Sequence, residues 1–159
     1  MEKLLKKPVK EFMTKKVVAV KETESLKDLF KILDKNGILG VPVVNKAGKV
    51  VGIVTESDLI RHFTTLKTPR AIGILGGIVY LDDIREFNSN LKDHCAETVK
   101  QMMTKNPVVI REKATLMDAI NLMASRVVSR LPVVGAGNKL IGIVTRTDIL
   151  HQIAKLKTI

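Results

Sequence analysis

Hydrophobic residues recur with two different spacings along the first part of the chain, and each spacing predicts a different element. Over residues 25–36 the apolar positions return every three or four residues, as in an amphipathic helix. Short apolar runs bounded by turn residues predict strands. Three such runs flank the helix: VVAV at 17–20, VPVVN at 41–45 and KVVGIVT at 49–55. With a further helix beginning near Ser57, the predicted order is strand, helix, strand, strand, helix.

The same pattern returns 90 residues later without a gap. VKEFMTKKVVAV at 9–20 matches VKQMMTKNPVVI at 99–110, and VVGIVTESDLI at 50–60 matches LIGIVTRTDIL at 140–150. From Lys10 to Ile60, 17 of 51 positions are identical to their partners. The chain is therefore predicted to be a tandem repeat.

The repeat predicts a domain organisation and a fold class. We expect a first unit at residues 8–64, a connecting segment at 65–98 and a second unit at 99–156, each unit having the order β-α-β-β-α. A unit of about 60 residues is marginal alone, and a sheet with helices on one face leaves its other face apolar. We therefore expect an α+β (α/β) fold in which the two units pack sheet to sheet with pseudo-twofold symmetry. The connection is expected to hold an extended stretch followed by a helix.

Composition excludes several classes of protein. The chain has 159 residues, of which 45% are hydrophobic, too many for a disordered polypeptide. It contains no uncharged apolar run of about 18 residues, so no membrane-spanning helix is expected. The single cysteine, Cys95, cannot form an internal disulfide, and with three scattered histidines it does not form a zinc cluster. A reducing, cytoplasmic location is expected.

The charge balance raises the question of a polyanionic partner. The net charge is +11, and residues 99–159 carry ten basic and three acidic side chains. Such an excess suggests nucleic acid. However, the five aromatic residues are scattered among apolar positions, whereas single-strand binding uses exposed aromatics as stacking platforms. Nucleic acid therefore stays a second interpretation.

The motif Gly-Ile-Val-Thr-x-x-Asp occurs once in each unit, at 52–58 and 142–148. A strand ends at its threonine and a helix begins directly afterwards. A helix N-terminus suits an anion, and a carboxylate there can accept hydrogen bonds from the two hydroxyls of a ribose. Thr-x-x-Asp before an apolar run is also a capping box, which is the structural alternative. Its recurrence in the same frame favours a nucleotide site.

With these motifs in place, the sequence resembles a tandem pair of cystathionine-β-synthase (CBS) domains, often called a Bateman module. The resembling parts are MT-x-x-V-x-x-V in the first copy, with MT-x-x-P-x-x-I at the same place in the second, and the middle helix, [VL]PVV and GIVTxxD in both. The resemblance implies a regulatory or sensor module that binds an adenosine-containing ligand between the units. The ligands implied are AMP, ADP, ATP, S-adenosylmethionine and methylthioadenosine. It also implies a disc-shaped homodimer and an unidentified protein target.

The resemblance also implies two sites, each shared between the units. In the first, Thr55 and Asp58 would hold ribose or phosphate, together with Ile53, Val108, Val109, Arg130 and Pro132. In the second, Thr145 and Asp148 would do so, together with Ile143, Val18, Ala19, Gly40 and Pro42. Thr14 and Thr104 are further candidates for polar contacts.

Two departures from repeat symmetry make the implied sites different in charge. Arg130 stands where the other copy has Gly40, and Glu56 stands where the other copy has Arg146. We hypothesise that Arg130 favours a phosphate-bearing ligand in the first site.

No catalytic constellation is present. The sequence lacks a suggestive Ser-His-Asp or Cys-His grouping, HExxH and GxxxxGK[ST]. We therefore expect no enzyme activity, no required cofactor and no metal site. A basic nucleic-acid-binding protein and a ligand-free dimerisation scaffold remain the alternatives to a regulatory module.

Overall fold

The computed structural model describes residues 2–64, 71–74, 77–80 and 83–155. The first unit comprises α1 (Glu2–Leu5), a 3₁₀ turn (Val9–Glu11), β1 (Val20–Lys21), α2 (Leu26–Asn36), β2 (Gly40–Val44), β3 (Val50–Thr55) and α3 (Glu56–Thr64). The connection comprises β4 (Ala71–Ile74), β5 (Gly77–Tyr80) and α4 (Ile84–Ala96). The second unit comprises α5 (Val99–Met102), β6 (Thr104–Lys105), β7 (Ile110–Arg111), α6 (Leu116–Arg126), β8 (Arg130–Val134), a 3₁₀ turn (Ala136–Asn138), β9 (Leu140–Thr145) and α7 (Arg146–Ala154). This is a mixed α+β fold with two repeats, as predicted.

The ends of the two middle helices follow the capping signals in the sequence. The Ser25 hydroxyl accepts a hydrogen bond from the Asp28 amide at the start of α2, and Gly37 ends that helix with φ 59°. Thr115 caps α6 in the same way. However, α6 ends at Val127, a β-branched residue with φ 53°, in the left-handed region that favours glycine. The two units therefore share the left-handed turn at the end of this helix, and its conformational free energy is higher at Val127 than at Gly37.

The strands predicted at 17–20 and 107–110 are mostly wrong. Only the last residue of each run is in a strand, at the start of β1 and β7. The preceding residues are half-buried without a sheet partner. An apolar run shows that a segment is buried but not what buries it, and here the burial does not come from strand pairing.

The two main sheets have the same internal register. Their strand orders are β1-β2-β3-β6 and β7-β8-β9. Pro42 lies opposite Ile53 in the first sheet, and Pro132 lies opposite Ile143 in the second. The first sheet gains β6 from the second unit, with Thr104 opposite Ile53. The equivalent contact to the second sheet is a single bridge between Thr14 and Ile143.

Each unit takes the beginning of the other unit's sequence into its own core. The Val9 amide donates to the Ala114 carbonyl at 2.7 Å, and the Val99 amide donates to the Glu24 carbonyl at 2.9 Å. One core joins Val9 and Phe12 to second-unit residues that include Leu116, Leu131, Val133 and Val144. The other joins Val99 and Met102 to first-unit residues that include Leu26, Leu29, Val41 and Val54. Neither copy in the sequence therefore has a complete core of its own.

The glycine of each GIVT motif lies against a methionine of the other copy. A Cβ placed on Gly52 would lie 2.4 Å from the sulfur of Met103, and one on Gly142 would lie 2.4 Å from the sulfur of Met13. Ordinary packing does not allow such distances. Packing between the units therefore accounts for this glycine, with no phosphate needed.

The connection is described in part. β4 and β5 form an antiparallel pair, and α4 follows them. This agrees with the expected extended stretch and helix. Residues 65–70, 75–76 and 81–82 and the side chain of Cys95 lie outside the described part of the chain. Within that part, no helix is both long enough and apolar enough to cross a membrane.

Candidate functional site

The aspartate of the Thr-x-x-Asp motif bonds back to its threonine at the start of a helix in both units, and in α7 the Thr145 hydroxyl also accepts from the Asp148 amide at 3.3 Å. The Asp58 Oδ2 atom accepts hydrogen bonds from the Thr55 amide at 2.8 Å and from the Thr55 hydroxyl at 2.9 Å. Asp148 accepts the equivalent bonds from Thr145, both at 2.8 Å. The capping interpretation is therefore confirmed in full for α7 and in part for α3, where Asp58 bonds back to Thr55. It leaves the second carboxylate oxygen of each aspartate for other partners.

The first cleft lies where β3 and α3 of the first unit face the second unit. It has a volume of about 270 Å³. One wall comes from the first unit: Ile53, Thr55, Glu56, Ser57, Asp58 and Arg61. The other comes from the second unit: Thr104, Asn106, Pro107, Val108, Val127, Val128, Ser129 and Arg130.

The second cleft is the symmetry-related space at the start of α7, with a volume of about 370 Å³. Its first-unit wall comprises Thr14, Lys16, Val17, Val18, Gly37, Ile38, Leu39 and Gly40. Its second-unit wall comprises Arg130, Ile143, Thr145, Thr147 and Asp148. The second volume lies near the lower end of the range for small-molecule sites, roughly 300–1,000 Å³, and the first lies slightly below that range. They suit a small ligand better than a macromolecule.

Most of the residues predicted for the two sites line the clefts, and four do not. In the first cleft the lining includes Ile53, Thr55, Asp58, Val108 and Arg130. In the second it includes Val18, Gly40, Ile143, Thr145 and Asp148.

The four predicted residues that do not line the clefts are Ala19, Pro42, Val109 and Pro132. Pro42 and Pro132 are buried inside β2 and β8. Ala19 and Val109 directly follow residues that do line the clefts. Neighbouring side chains of an extended chain point to opposite sides, so one of each pair turns away.

The two motif aspartates differ in their surroundings. Asp58 is 3% exposed, and its Oδ1 atom accepts from the Thr104 hydroxyl at 2.8 Å and from Arg61 at 3.4 Å. Asp148 is half-buried, and its Oδ1 atom has no partner among the described residues. Thr14, the equivalent of Thr104, lines the second cleft without bonding the aspartate. Of the two motif aspartates, only Asp148 therefore has an uncommitted carboxylate oxygen among the described residues.

Arg130 lines both clefts. Its Nη1 atom donates to the Leu39 carbonyl at 2.5 Å and lies 3.2 Å from a Glu56 carboxylate oxygen, as an ion pair rather than an aligned hydrogen bond. The side chain is 12% exposed. A Cβ on Gly40 would lie 1.9 Å from Nη1, so the arginine depends on glycine at the equivalent position of the other unit. The two departures from repeat symmetry therefore fit one another across the interface.

Several lining residues were not predicted from the sequence. They include Lys16 and Leu39 in the second cleft and Arg61 and Val127 in the first. A signal for them existed, because each lies within a few residues of a predicted site residue. Within the described residues, no group of three or more His, Cys, Asp or Glu side chains is placed to hold a metal ion.

Comparison with protein families and curated proteins gives consistent matches. The family model for the CBS domain matches the chain twice, at residues 9–65 and 99–155. The uncharacterized protein MJ1426 of Methanocaldococcus jannaschii is 34% identical over 152 residues, covering 91% of this chain and 90% of that protein. The chloroplastic CBS domain-containing protein CBSX1 of Arabidopsis thaliana is 32% identical over 155 residues. This alignment covers 94% of the present chain and 65% of CBSX1, slightly less than two thirds.

Comparison with solved structures gives the same fold. The crystal structure of Arabidopsis thaliana CBSX2 in complex with AMP superposes with a TM-score of 0.72 and 27% sequence identity. The match covers 96% of this chain and 99% of that one.

Proposed function

Since the chain belongs to the CBS domain family and carries two CBS domains, we propose that it is a regulatory module that binds an adenosine-containing ligand between its units. One observation carries the proposal. Each cleft joins a threonine and an aspartate at a helix start in one unit to an apolar wall from the other. The similar structure of CBSX2 with AMP supports the ligand class.

A motif aspartate supplies the ribose contact in this proposal. A carboxylate accepts hydrogen bonds only, and the 2′ and 3′ hydroxyls of ribose are two adjacent donors. In each motif one carboxylate oxygen is held by the cap, so the side chain is already oriented before a ligand arrives. Such preorganisation reduces the entropy lost on binding.

Exposed apolar side chains at the clefts supply a surface for the base. Val127 at the first cleft is 83% exposed, and Leu39 at the second is 64% exposed. A flat purine laid on either side chain would remove its apolar surface from water. Val108 and Val18 stand at equivalent positions on the two apolar walls.

Regulation follows from the placement of the clefts between units. A ligand that touches both walls stabilises one relative placement of the units over others. It shifts the conformational equilibrium only if it binds the two arrangements unequally. The proposal assigns no reaction to the clefts. The output would pass to a protein target whose identity neither wall indicates.

A second copy of the chain is the proposed assembly partner. Ile60 on α3 and Leu150 on α7 occupy equivalent positions in the two units and are 65% and 63% exposed. Large apolar residues left in water on two symmetry-related helices fit a homodimer contact. Sedimentation equilibrium tests this, and Ile60→Lys with Leu150→Lys should yield a monomer.

A thermal-shift panel tests ligand binding. AMP, ADP, ATP, S-adenosylmethionine, methylthioadenosine and NAD are compared, since the nature of the ligand beyond its adenosine is open. A ligand at 100 times its dissociation constant should stabilise the fold by about 2.7 kcal/mol. Asp58→Ala combined with Asp148→Ala should remove the response.

The chain offers a matched control for lost helix capping. Thr115 and Asp118 form the same capping box at α6, with bonds of 2.8 Å, but line neither cleft. Asp118→Ala should therefore lower stability while keeping the ligand response. Full AMP binding by the double aspartate variant would refute the cleft assignment. A panel with no response would favour the ligand-free scaffold.

Nucleic acid is the second candidate, favoured by the net charge of +11. Contacts to a phosphate backbone weaken steeply with salt because counterions are released. Binding of a fluorescent oligonucleotide, measured from about 50 to 200 mM salt where such affinity falls steeply, separates the two functions. Oligonucleotide binding that AMP cannot displace would favour the nucleic-acid interpretation.

A further inference from the structure

We infer that the two clefts are unequal and that a phosphorylated adenosine ligand binds in the second cleft, at a ratio of one per chain. The inference rests on the proposed function and adds which cleft is used and what selects it. It assigns the selection of a phosphate to Lys16 in the second cleft instead of to Arg130 in the first.

The two motif aspartates differ in the acceptor positions that they offer to a ribose. An ionised carboxylate has about four acceptor positions. In Asp58 all four are engaged, two by Thr55 and one each by Thr104 and Arg61. A ribose can reach Asp58 only by displacing protein donors. The Oδ1 atom of Asp148 is open to both hydroxyls.

The two clefts differ in the net charge of the side chains that line them. The ionisable groups lining the first cleft are Glu56, Asp58, Arg61 and Arg130, which sum to zero. Those lining the second are Lys16, Arg130 and Asp148, which sum to +1. The first cleft also carries an additional carboxylate that would face a bound phosphate.

The two clefts also differ in the cationic side chains that are free to bind a phosphate. In the first cleft each arginine already has a carboxylate, Arg61 with Asp58 at 3.4 Å and Arg130 with Glu56 at 3.2 Å. In the second, Lys16 has no carboxylate partner among the described residues. Arg130 lines both clefts and is paired with Glu56, so Lys16 is the uncommitted cation that only the second cleft provides within the described residues. A phosphate in the second cleft therefore finds donors that need not be released first.

Calorimetric titration with AMP and with adenosine tests the inference on the full chain. The wild type should bind one AMP per chain. Asp148→Asn keeps a capping oxygen but should weaken AMP by at least about tenfold, since hydrogen bonds to charged groups contribute that much or more. Asp58→Asn should change AMP affinity by less than about twofold, because this aspartate has no free acceptor.

Lys16→Asn gives the second cleft the residue type that the first cleft has at the equivalent position, Asn106. It should weaken AMP by about two- to fivefold, as for an exposed charge pair, and leave adenosine unchanged. Lys113→Asn is the control, because it removes the same charge from an exposed position outside both clefts. Thermal melts verify that each variant is folded.

Three results would overturn the inference while leaving the proposed function intact. The first is two AMP molecules bound per wild-type chain, and the second is loss of AMP binding in Asp58→Asn but not in Asp148→Asn. The third is an equal effect of Lys16→Asn on the affinities for AMP and adenosine. If the wild type binds neither AMP nor adenosine nor any compound of the thermal-shift panel, the proposed function itself fails.

Discussion

Asp58 and Asp148 end the same motif in the two units, yet their neighbours differ. Both aspartates cap their helix with nearly identical bonds. One is buried and fully bonded, whereas the other faces its cleft with an open oxygen. The comparison teaches that the repeated motif specifies the helix start. The capacity to bind depends on side chains outside the motif, such as Thr104 and Lys16.

The largest expected effect tests the exchange of core segments between units. Phe12→Ala should destabilise the protein by about 3–5 kcal/mol, because a large side chain leaves a packed core. Phe12 packs with the second unit, so amide hydrogen exchange should accelerate more in β8 and β9 than in β2 and β3. Met102→Ala, at the equivalent position, should give the reverse pattern. Faster amide hydrogen exchange mainly in β2 and β3 for Phe12→Ala would contradict the packing of Phe12 in the core of the second unit.

A medium effect is expected at the contact between the GIVT glycines and the exchanged methionines. Gly142→Ala should cost about 1–3 kcal/mol, since an added methyl overpacks the space beside Met13. Gly52→Ala should behave alike beside Met103. Urea denaturation measures both. A neutral result at either position would show that the methionine can move aside and that packing does not require the glycine.

A smaller effect separates the C-terminal ends of the middle helices. Val127→Gly should stabilise by roughly 1 kcal/mol, because the left-handed conformation costs a β-branched residue about 1–2 kcal/mol. Little burial is lost, as Val127 is 83% exposed. Gly37→Val places the same strain in the first unit and should destabilise it. A melting temperature that falls with Val127→Gly would indicate that Val127 packs more than its exposure suggests.

The smallest effect concerns the pH dependence of the α6 cap. The hydrogen bonds from the Thr115 amide and hydroxyl hold the pKa of Asp118 below its usual range. A carboxyl with a lowered pKa stabilises the fold above its unfolded pKa of about 3.9, and the contribution is lost as pH falls through the folded pKa. At pH 7 the free energy of unfolding of the wild type should exceed that of Asp118→Asn by about 0.3–1 kcal/mol.

The difference in unfolding free energy between the wild type and Asp118→Asn should shrink below about pH 4. In α2 the pKa of Asp28 is lowered chiefly by the Ser25 hydroxyl and then by Lys31. Added salt should therefore weaken the effect of Asp28 more than that of Asp118. Equal salt sensitivity of Asp28→Asn and Asp118→Asn would contradict this difference.

Local elements were predictable from the sequence because their causes are local. The apolar spacing and Ser25 predict α2, and the 90-residue offset transfers that prediction to α6. The segment exchange was not predictable, because Val9 and Phe12 show an apolar face without showing which copy it packs against. The pairing of Arg130 with Glu56 joins residues 74 positions apart and depends on Gly40. No local pattern records such a contact.

The central claim is that an adenosine ligand binds between the units and prefers the second cleft. An NMR titration with AMP on ¹⁵N-labelled protein tests it most directly. The account predicts that the amide signals of Thr145 and Gly40 shift and saturate at one AMP per chain, while those of Thr55 and Val108 change far less. Saturating shifts centred on Thr55 and Val108, or no shifts at either cleft, would contradict it.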